Sequence, residues 1–300
     1  MAAPERWFAE APRGGFQQAF AVRAELYRGA SRYQEILVLD TEPFGRTLVL
    51  DGAVQTTERD EYVYHEMLAH PALCTHPEPR RVLVIGGGDG GCLRRVLEHP
   101  VDLAVQVEID RDVVEVSQRY LPTIAAGAYA DARARLLIAD GVQYLTEGDE
   151  RFDIILVDST DPVGPAAALF AEPFYRAARR ALGDRGVLVT QSGSPLLMAE
   201  ELRATVAGLR AVFPIVRPYL ANVPSYPGVL WSFCAASVAS DPLAVGPGAV
   251  AARLAASGIV THYYTPELHR AAFALPAFLG RFLADLVPDG NEAPRAAVSG

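Results

Sequence analysis

The chain has 300 residues, enough for one large domain or two unequal ones with a sizeable buried core. Half of the residues are apolar and 21% are charged, the balance of a globular chain, and no run of about 18 apolar residues marks a membrane span. A formal net charge of -9 argues against general binding to nucleic acid or to an anionic membrane.

The opening Met1-Ala2-Ala3-Pro4-Glu5-Arg6 is not followed by an apolar segment, so no secretory signal is expected. Residues 16–57 read as β structure: segments 33–40 and 46–50 flank the turn Thr41-Glu42-Pro43-Phe44-Gly45, and Asp51-Gly52 is a hairpin signal. Residues 58–70 are predicted helical, because Val63, Met67 and His70 recur at helical spacing, and Pro71 is expected to end the helix. Pro77 and Pro79 mark a joint. A boundary near 70 then separates an N-terminal β domain with its linking helix (1–70) from the remainder (71–300).

From Arg81 onward, buried strands alternate with helices. The strands are predicted at 82–85, 103–107, 134–138, 152–157 and 186–189, and the helices at 91–99, 112–120, 170–181 and 198–212. Such alternation specifies an α/β doubly wound sheet. Beyond about 240 the chain is Ala-rich with helical stretches, and the last dozen residues are expected to be loose. Cys74, Cys92 and Cys234 form neither a metal spacing nor an even disulfide framework, and read as small buried hydrophobes in a reducing cytoplasm.

In an open α/β sheet, ligands bind outside the carboxyl ends of the strands. The first βα turn, Gly86-Gly87-Gly88-Asp89-Gly90-Gly91, matches the glycine fingerprint that lets a nucleoside approach the backbone. Glu108, about 20 residues on, ends the second strand, where a carboxylate can accept both ribose hydroxyls. Asp89 would repel a pyrophosphate but accept an ammonium group, which disfavours a dinucleotide. Asp140-Gly141 ends the third strand, as an adenine contact or a plain turn, and Asp158 and Asp161 follow the fourth. Four successive strand ends thus carry acids, the pattern of a cleft for a nucleoside bearing amino groups, beside a second cationic substrate. Taken alone, Asp158 and Asp161 read equally well as turn and capping residues.

The chain resembles the polyamine aminopropyltransferases, most closely the bacterial spermidine synthases. The resemblance rests on Leu50-Asp51-Gly52-Ala53-Val54-Gln55-Thr56-Thr57-Glu58-Arg59-Asp60-Glu61, Tyr64-His65-Glu66-Met67, the glycine turn, Glu108-Ile109-Asp110 and the octet Asp158-Ser159-Thr160-Asp161-Pro162-Val163-Gly164-Pro165. Pro224-Ser225-Tyr226, Tyr263-Tyr264 and Ala271-Ala272-Phe273-Ala274-Leu275-Pro276 extend it over about residues 7–282. It implies a Rossmann-like, methyltransferase-type catalytic domain behind a small N-terminal β domain. The reaction it implies is aminopropyl transfer from decarboxylated S-adenosylmethionine, a co-substrate and not a resident cofactor, to putrescine, with no metal. By the family pattern Asp158 is the general base and Tyr64 orients the attacking amine. His65, Asp161 and Tyr226 line the putrescine channel, with Ser159 and Thr160 along it. Asp89 holds the amine of the aminopropyl arm, Glu108 the ribose, and Asp140 with Gly141 the adenine. Gln34, Gln55, Gly86, Gly88 and Pro165 complete the nucleoside pocket. The pattern also implies a homodimer or homotetramer and a lid formed by the loop after Asp158.

Ser225 stands where the family often has threonine, and Gln191-Ser192-Gly193-Ser194 and Pro227-Gly228-Val229-Leu230-Trp231 vary. Acceptor length is therefore the open part of the reading, with cadaverine or spermidine as alternatives. An S-adenosylmethionine-dependent methyltransferase would leave Asp89 and the Asp158/Asp161 pair unexplained. His65 and His70 do not form a metal motif, and His76, His99, His262 and His269 read as isolated surface or packing residues.

Overall fold

The computed structural model describes residues 6–12, 15–162 and 164–287, the Pro165 side chain excepted. The expected loose end beyond 287 and Val163 of the expected lid lie outside them. Five strands, β1 (Trp7–Glu10), β2 (Gln18–Ala30), β3 (Glu35–Thr41), β4 (Gly45–Leu50) and β5 (Ala53–Thr57), form an antiparallel meander in chain order. The β4–β5 turn places Asp51 (φ 48°) and Gly52 (φ 82°) in the left-handed region, as a two-residue hairpin turn requires. β1 precedes the predicted β segment.

Helix α1 (Glu61–Thr75) leads to a seven-stranded sheet ordered β11-β12-β10-β9-β6-β7-β8. Its parallel part is β6 (Arg81–Gly86), β7 (Leu103–Glu108), β8 (Ala134–Ile138), β9 (Phe152–Asp158) and β10 (Leu182–Gln191). The crossovers carry α2 (Gly91–Leu97), α3 (Arg111–Tyr120), a short α4 (Pro122–Ala125), α5 (Gly141–Glu147), α6 (Glu172–Ala181) and α7 (Ala199–Arg210). An antiparallel hairpin, β11 (Ile215–Asn222) and β12 (Leu230–Ser237), completes one edge, and α8 (Pro247–Ala256), α9 (Pro266–Ala271) and α10 (Ala277–Phe282) follow. The fold is Rossmann-like and methyltransferase-type, with a small N-terminal β domain.

Two apolar clusters cover the two faces of the large sheet. Met67, Leu73, Leu93 and Val250 pack with Val82 and Leu156 on one, and Tyr175, Leu202 and Leu209 with Leu83 and Ile155 on the other. A third cluster joins Ile36, Val38, Leu48 and Leu50 of the small sheet to Val113, Val116 and Ile124, fastening the β domain beside the ends of β6 and β7. The three cysteines are buried free thiols. Among the described residues, no helix is long and apolar enough to cross a membrane.

Two expectations need correction. Helix α1 does not stop at Pro71 but continues to Thr75. A helical proline removes the N–H that would bond four residues back. Here the Met67 carbonyl so released accepts the Tyr219 hydroxyl at 2.7 Å. The hairpin of β11 and β12 was not foreseen. Pro218 breaks the strand signal, yet β11 lies at the sheet edge, where a missing N–H is tolerated.

Candidate active site

The chain passes from β6 through β7 to β8 on one side, then returns to β9 and β10 on the other. The crevice of such a reversal opens where β6 and β9 end side by side. Gly86 and Asp158 are register partners at that point, and the Gly87 N–H donates to the Asp158 carbonyl at 2.8 Å. Gly86 and Gly87 have φ of +83° and +70°, and added β-carbons would lie 2.1 Å from the Asp158 carbonyl oxygen and 2.6 Å from its Oδ2. Only glycine permits this turn to clasp Asp158.

A cavity of about 460 Å³ opens above these strand ends. Gln34, Gln55, Tyr64, Gly86, Gly88, Asp89, Glu108, Asp140, Gly141, Asp158, Ser159, Thr160, Asp161 and Tyr226 all line it. The Pro165 side chain lies outside the described residues, and His65 does not line this cavity: the residue is 1% exposed and stands behind Asp89. The lining acids are Asp51, Asp89, Glu108, Asp140, Asp158 and Asp161, and no arginine or histidine is among the described lining residues.

Each wall has its own support. Glu108 accepts the Asp110 N–H at 2.8 Å, and Asp110 in turn accepts the Gln34 amide at 2.9 Å, so the β domain reaches the end of β7. Asp140 caps α5, its Oδ1 accepting the N–H groups of Val142 and Gln143. The plain capping role thus holds for one oxygen of a side chain that also faces the cavity. On the opposite wall the Tyr226 hydroxyl donates to the Gln55 carbonyl at 2.5 Å, and its ring packs 5.6 Å from that of Tyr64. Gln191 holds the exit of β9 by donating to the carbonyls of Ser159 and Thr160.

The electrostatics divide the acids. Enclosure, reinforced by the charge of Asp89, raises the Asp158 carboxyl to about 6, with His65 and Tyr64 partly offsetting the rise. Its Oδ2 is buried and accepts no hydrogen bond among the described residues. Burial also pushes Asp89 upward, but the charge and hydrogen bond of His65, with the Gly91 N–H, outweigh it and hold the carboxyl below its ordinary range. Glu108 is raised to about 7, chiefly by burial. Tyr64 is held well above its ordinary value by burial and by Asp158, so it remains a hydroxyl donor.

Residues 61–242 match the spermine/spermidine synthase domain, and residues 6–58 match the spermidine synthase tetramerisation domain. The polyamine aminopropyltransferase of Desulforudis audaxviator is 46% identical over 280 residues, covering 93% of this chain and 98% of that protein. The chain belongs to the polyamine aminopropyltransferase family. The Bacillus mycoides aminopropyltransferase is 45% identical over 92% of this chain and 98% of its own. A crystal structure of spermidine synthase with the transition state analogue AdoDATO superposes with a TM-score of 0.90 at 36% identity, covering 95% of this chain and 97% of that one. The spermidine synthase of Thermotoga maritima gives 0.87 at 35%, covering 96% of each. The protein is thus a transferase of polyamine biosynthesis.

Two further residues of this aminopropyltransferase, one lining the cleft and one supporting the glycine turn, carry no motif. A second cavity of about 50 Å³ shares Gln55, Tyr64, Asp161 and Tyr226 with the first and ends at Glu10 and Trp231. Glu10 is buried, which raises its carboxyl to about 7 against the Gln18 hydrogen bond. Nothing in the spacing around β1 signals it. Gln106, buried beneath the glycine turn, donates to the carbonyls of Gly86 and Gly87. An amide inside an otherwise apolar strand was the available signal.

Proposed function

We propose that this chain transfers the aminopropyl group of decarboxylated S-adenosylmethionine to putrescine, giving spermidine and 5′-methylthioadenosine. The observation that carries the proposal is the cavity lining: six carboxyl groups and, among the described lining residues, no cationic side chain beside a glycine turn. A donor with a sulfonium and an ammonium but no carboxylate, and a diamine acceptor, both complement such a surface. The carboxylate of ordinary S-adenosylmethionine would face Asp89 and Asp158, a like-charge contact.

In this reading Glu108 takes the ribose hydroxyls, Asp140 and Gly141 the adenine, Gln34, Gln55, Gly86, Gly88 and Pro165 the rest of the nucleoside, and Asp89 the aminopropyl ammonium. The acceptor lies along Ser159 and Thr160 toward Tyr226 and Asp161, its far ammonium between Asp161 and Glu10. A free alkylammonium titrates near 10.4 by analogy with lysine, so the attacking amine must lose a proton in the cleft. Asp158, raised to about 6, is still largely ionised at neutral pH and has a buried oxygen available. The amine lone pair attacks the carbon bound to the sulfonium, the C–S pair moves to sulfur, and Asp158 takes the amine proton while Tyr64 orients the nitrogen. Alignment of the two reactants supplies much of the acceleration. The match of residues 6–58 supports self-association through the β domain, as a dimer or tetramer.

Mass spectrometry after incubation with decarboxylated S-adenosylmethionine and putrescine should detect methylthioadenosine and spermidine. Cadaverine and spermidine run in parallel test acceptor length, since one methylene is worth only about 1–3 kcal/mol in such a pocket. S-adenosylhomocysteine formed from ordinary S-adenosylmethionine, with no transfer from the decarboxylated donor, would refute the reading. Asp158→Asn should retain donor binding and lose about 10²–10⁴-fold in turnover. Near-normal turnover would remove Asp158 from the base role.

A further inference from the structure

His65 stands behind the cavity wall with carboxylates on both sides of its ring. Its Nδ1 lies 2.8 Å from Glu61 Oε2 and its Nε2 3.4 Å from Asp89 Oδ1. An imidazole nitrogen facing a carboxylate oxygen must carry a proton to make that contact favourable. Here the Nδ1 contact is a hydrogen bond and the Nε2 contact lies at ion-pair distance, and with both carboxylates ionised the imidazolium makes both favourable. The other oxygen of Glu61 accepts from Arg95 Nη2 at 3.1 Å, and Arg95 is 1% exposed, held also by Glu98 at 2.9 Å. A β-carbon on Gly91 would come within 2.2 Å of the His65 ring, so α2 leaves this space free for the imidazole. The Gly91 N–H meets the same Asp89 oxygen at 2.7 Å.

We propose that Glu61 is a positioning residue for the donor: it holds His65 as an imidazolium behind Asp89, and this Arg95–Glu61–His65–Asp89 relay keeps Asp89 ionised and oriented toward the ammonium of the aminopropyl arm. The proposal rests on the reading that Asp89 receives that ammonium. It gives His65 a role through Asp89 and not as a wall of the amine channel. The charged and titratable groups around the ring are Glu61 and Tyr64 on α1, Arg94 and Arg95 on α2, Asp89 in the glycine turn and Asp158 at the end of β9. Both carboxylates touching the ring raise its affinity for the proton, against its burial.

The test is the imidazole spectrum of ¹⁵N-histidine-labelled protein from pH 6 to 9, with His65→Gln identifying the signal among six histidines. His65 should remain doubly protonated throughout. In Glu61→Gln it should titrate within that range, and the Kd for decarboxylated S-adenosylmethionine, measured by calorimetry, should rise on the order of tenfold, as for loss of one charge-assisted hydrogen bond. That rise should grow with pH as the imidazolium is lost, and should vanish when Glu61→Gln is added to His65→Gln. A neutral or freely titrating His65 in the unaltered protein overturns the relay, whether or not the variant folds. So does a Glu61→Gln protein with unchanged Kd and pH profile. If the unaltered protein fails to bind the donor, the proposed reaction falls, and the His65 spectrum decides the relay independently.

Discussion

Helix α1 carries two histidines five residues apart, both almost wholly buried, and the two sides of the helix treat them in opposite ways. On the cleft side, His65 lies between Glu61 and Asp89 and holds its proton well above the ordinary histidine range. On the other side, the Nδ1 of His70 meets His99 Nε2 at 2.9 Å, and its ring packs on Tyr264. Burial, with His99 and Arg95, drives its proton affinity well below the ordinary range. Both rings are buried and burial opposes a charge on each, so burial alone does not explain the difference. What separates them is the presence of anions on both ring nitrogens, and that is set by the elements packed against each side.

Three perturbations test this contrast. The largest effect is expected at Glu66, which lies between the two regions and accepts the N–H groups of His262, Tyr263 and Tyr264 while facing Arg95 at 3.9 Å. Glu66→Ala should cost about 3–5 kcal/mol in denaturant unfolding, because it leaves buried donors and a buried guanidinium less compensated. A loss under 1 kcal/mol would show that the two regions are not held apart by this residue. Gly91→Ala should cost about 1–3 kcal/mol by driving a methyl into the His65 ring, and should weaken donor binding as well. A variant of unchanged stability and affinity would mean that His65 does not need its present place.

The third test is a pH profile. His99 is lowered to about 4 and His70 is also held well below its ordinary value, chiefly by burial in both. The unfolded chain takes up protons at these residues below about 6.5 while the folded chain does not. Their contribution to stability is therefore complete above pH 6.5 and is lost as pH falls toward 4, by up to about 1.4 kcal/mol per unit per histidine. His65 has the opposite sign: its contribution is present below about 6.5 and is lost as pH rises through its elevated value. His99→Gln should flatten the acid limb of a stability curve, and an unchanged limb would break the contrast.

Much of the front of the molecule was legible because its chemistry demands particular residue types at strand ends. Three glycines before an acid, Glu108 one strand later and residues 158–161 each report a local constraint, and each lines the cavity. The back was not legible, for the converse reason. His70 on α1 and His99 in the bend after α2 are 29 positions apart, and each looks like an ordinary packing residue until the two segments meet. The same holds for Pro71, whose helix survives through a hydroxyl 152 positions from its acceptor. Glu10 belongs to a short strand with no alternation, and its importance comes only from where the small sheet docks. The motif puts His65 along the amine channel, and only packing shows that Asp89 stands between it and the cavity.

The clasp of Gly86 and Gly87 on Asp158 has a consequence for how this enzyme can change. That end of the cavity is shaped by main chain, where a single added methyl collides with a carbonyl, so substitution there offers almost no graded variation. The far end is assembled from the side chains of Glu10, Asp161, Tyr226 and Trp231, which come from separate segments and are exchangeable one at a time. Under the proposed reaction, laboratory selection for new acceptors should therefore accumulate changes at these positions and leave the glycines untouched.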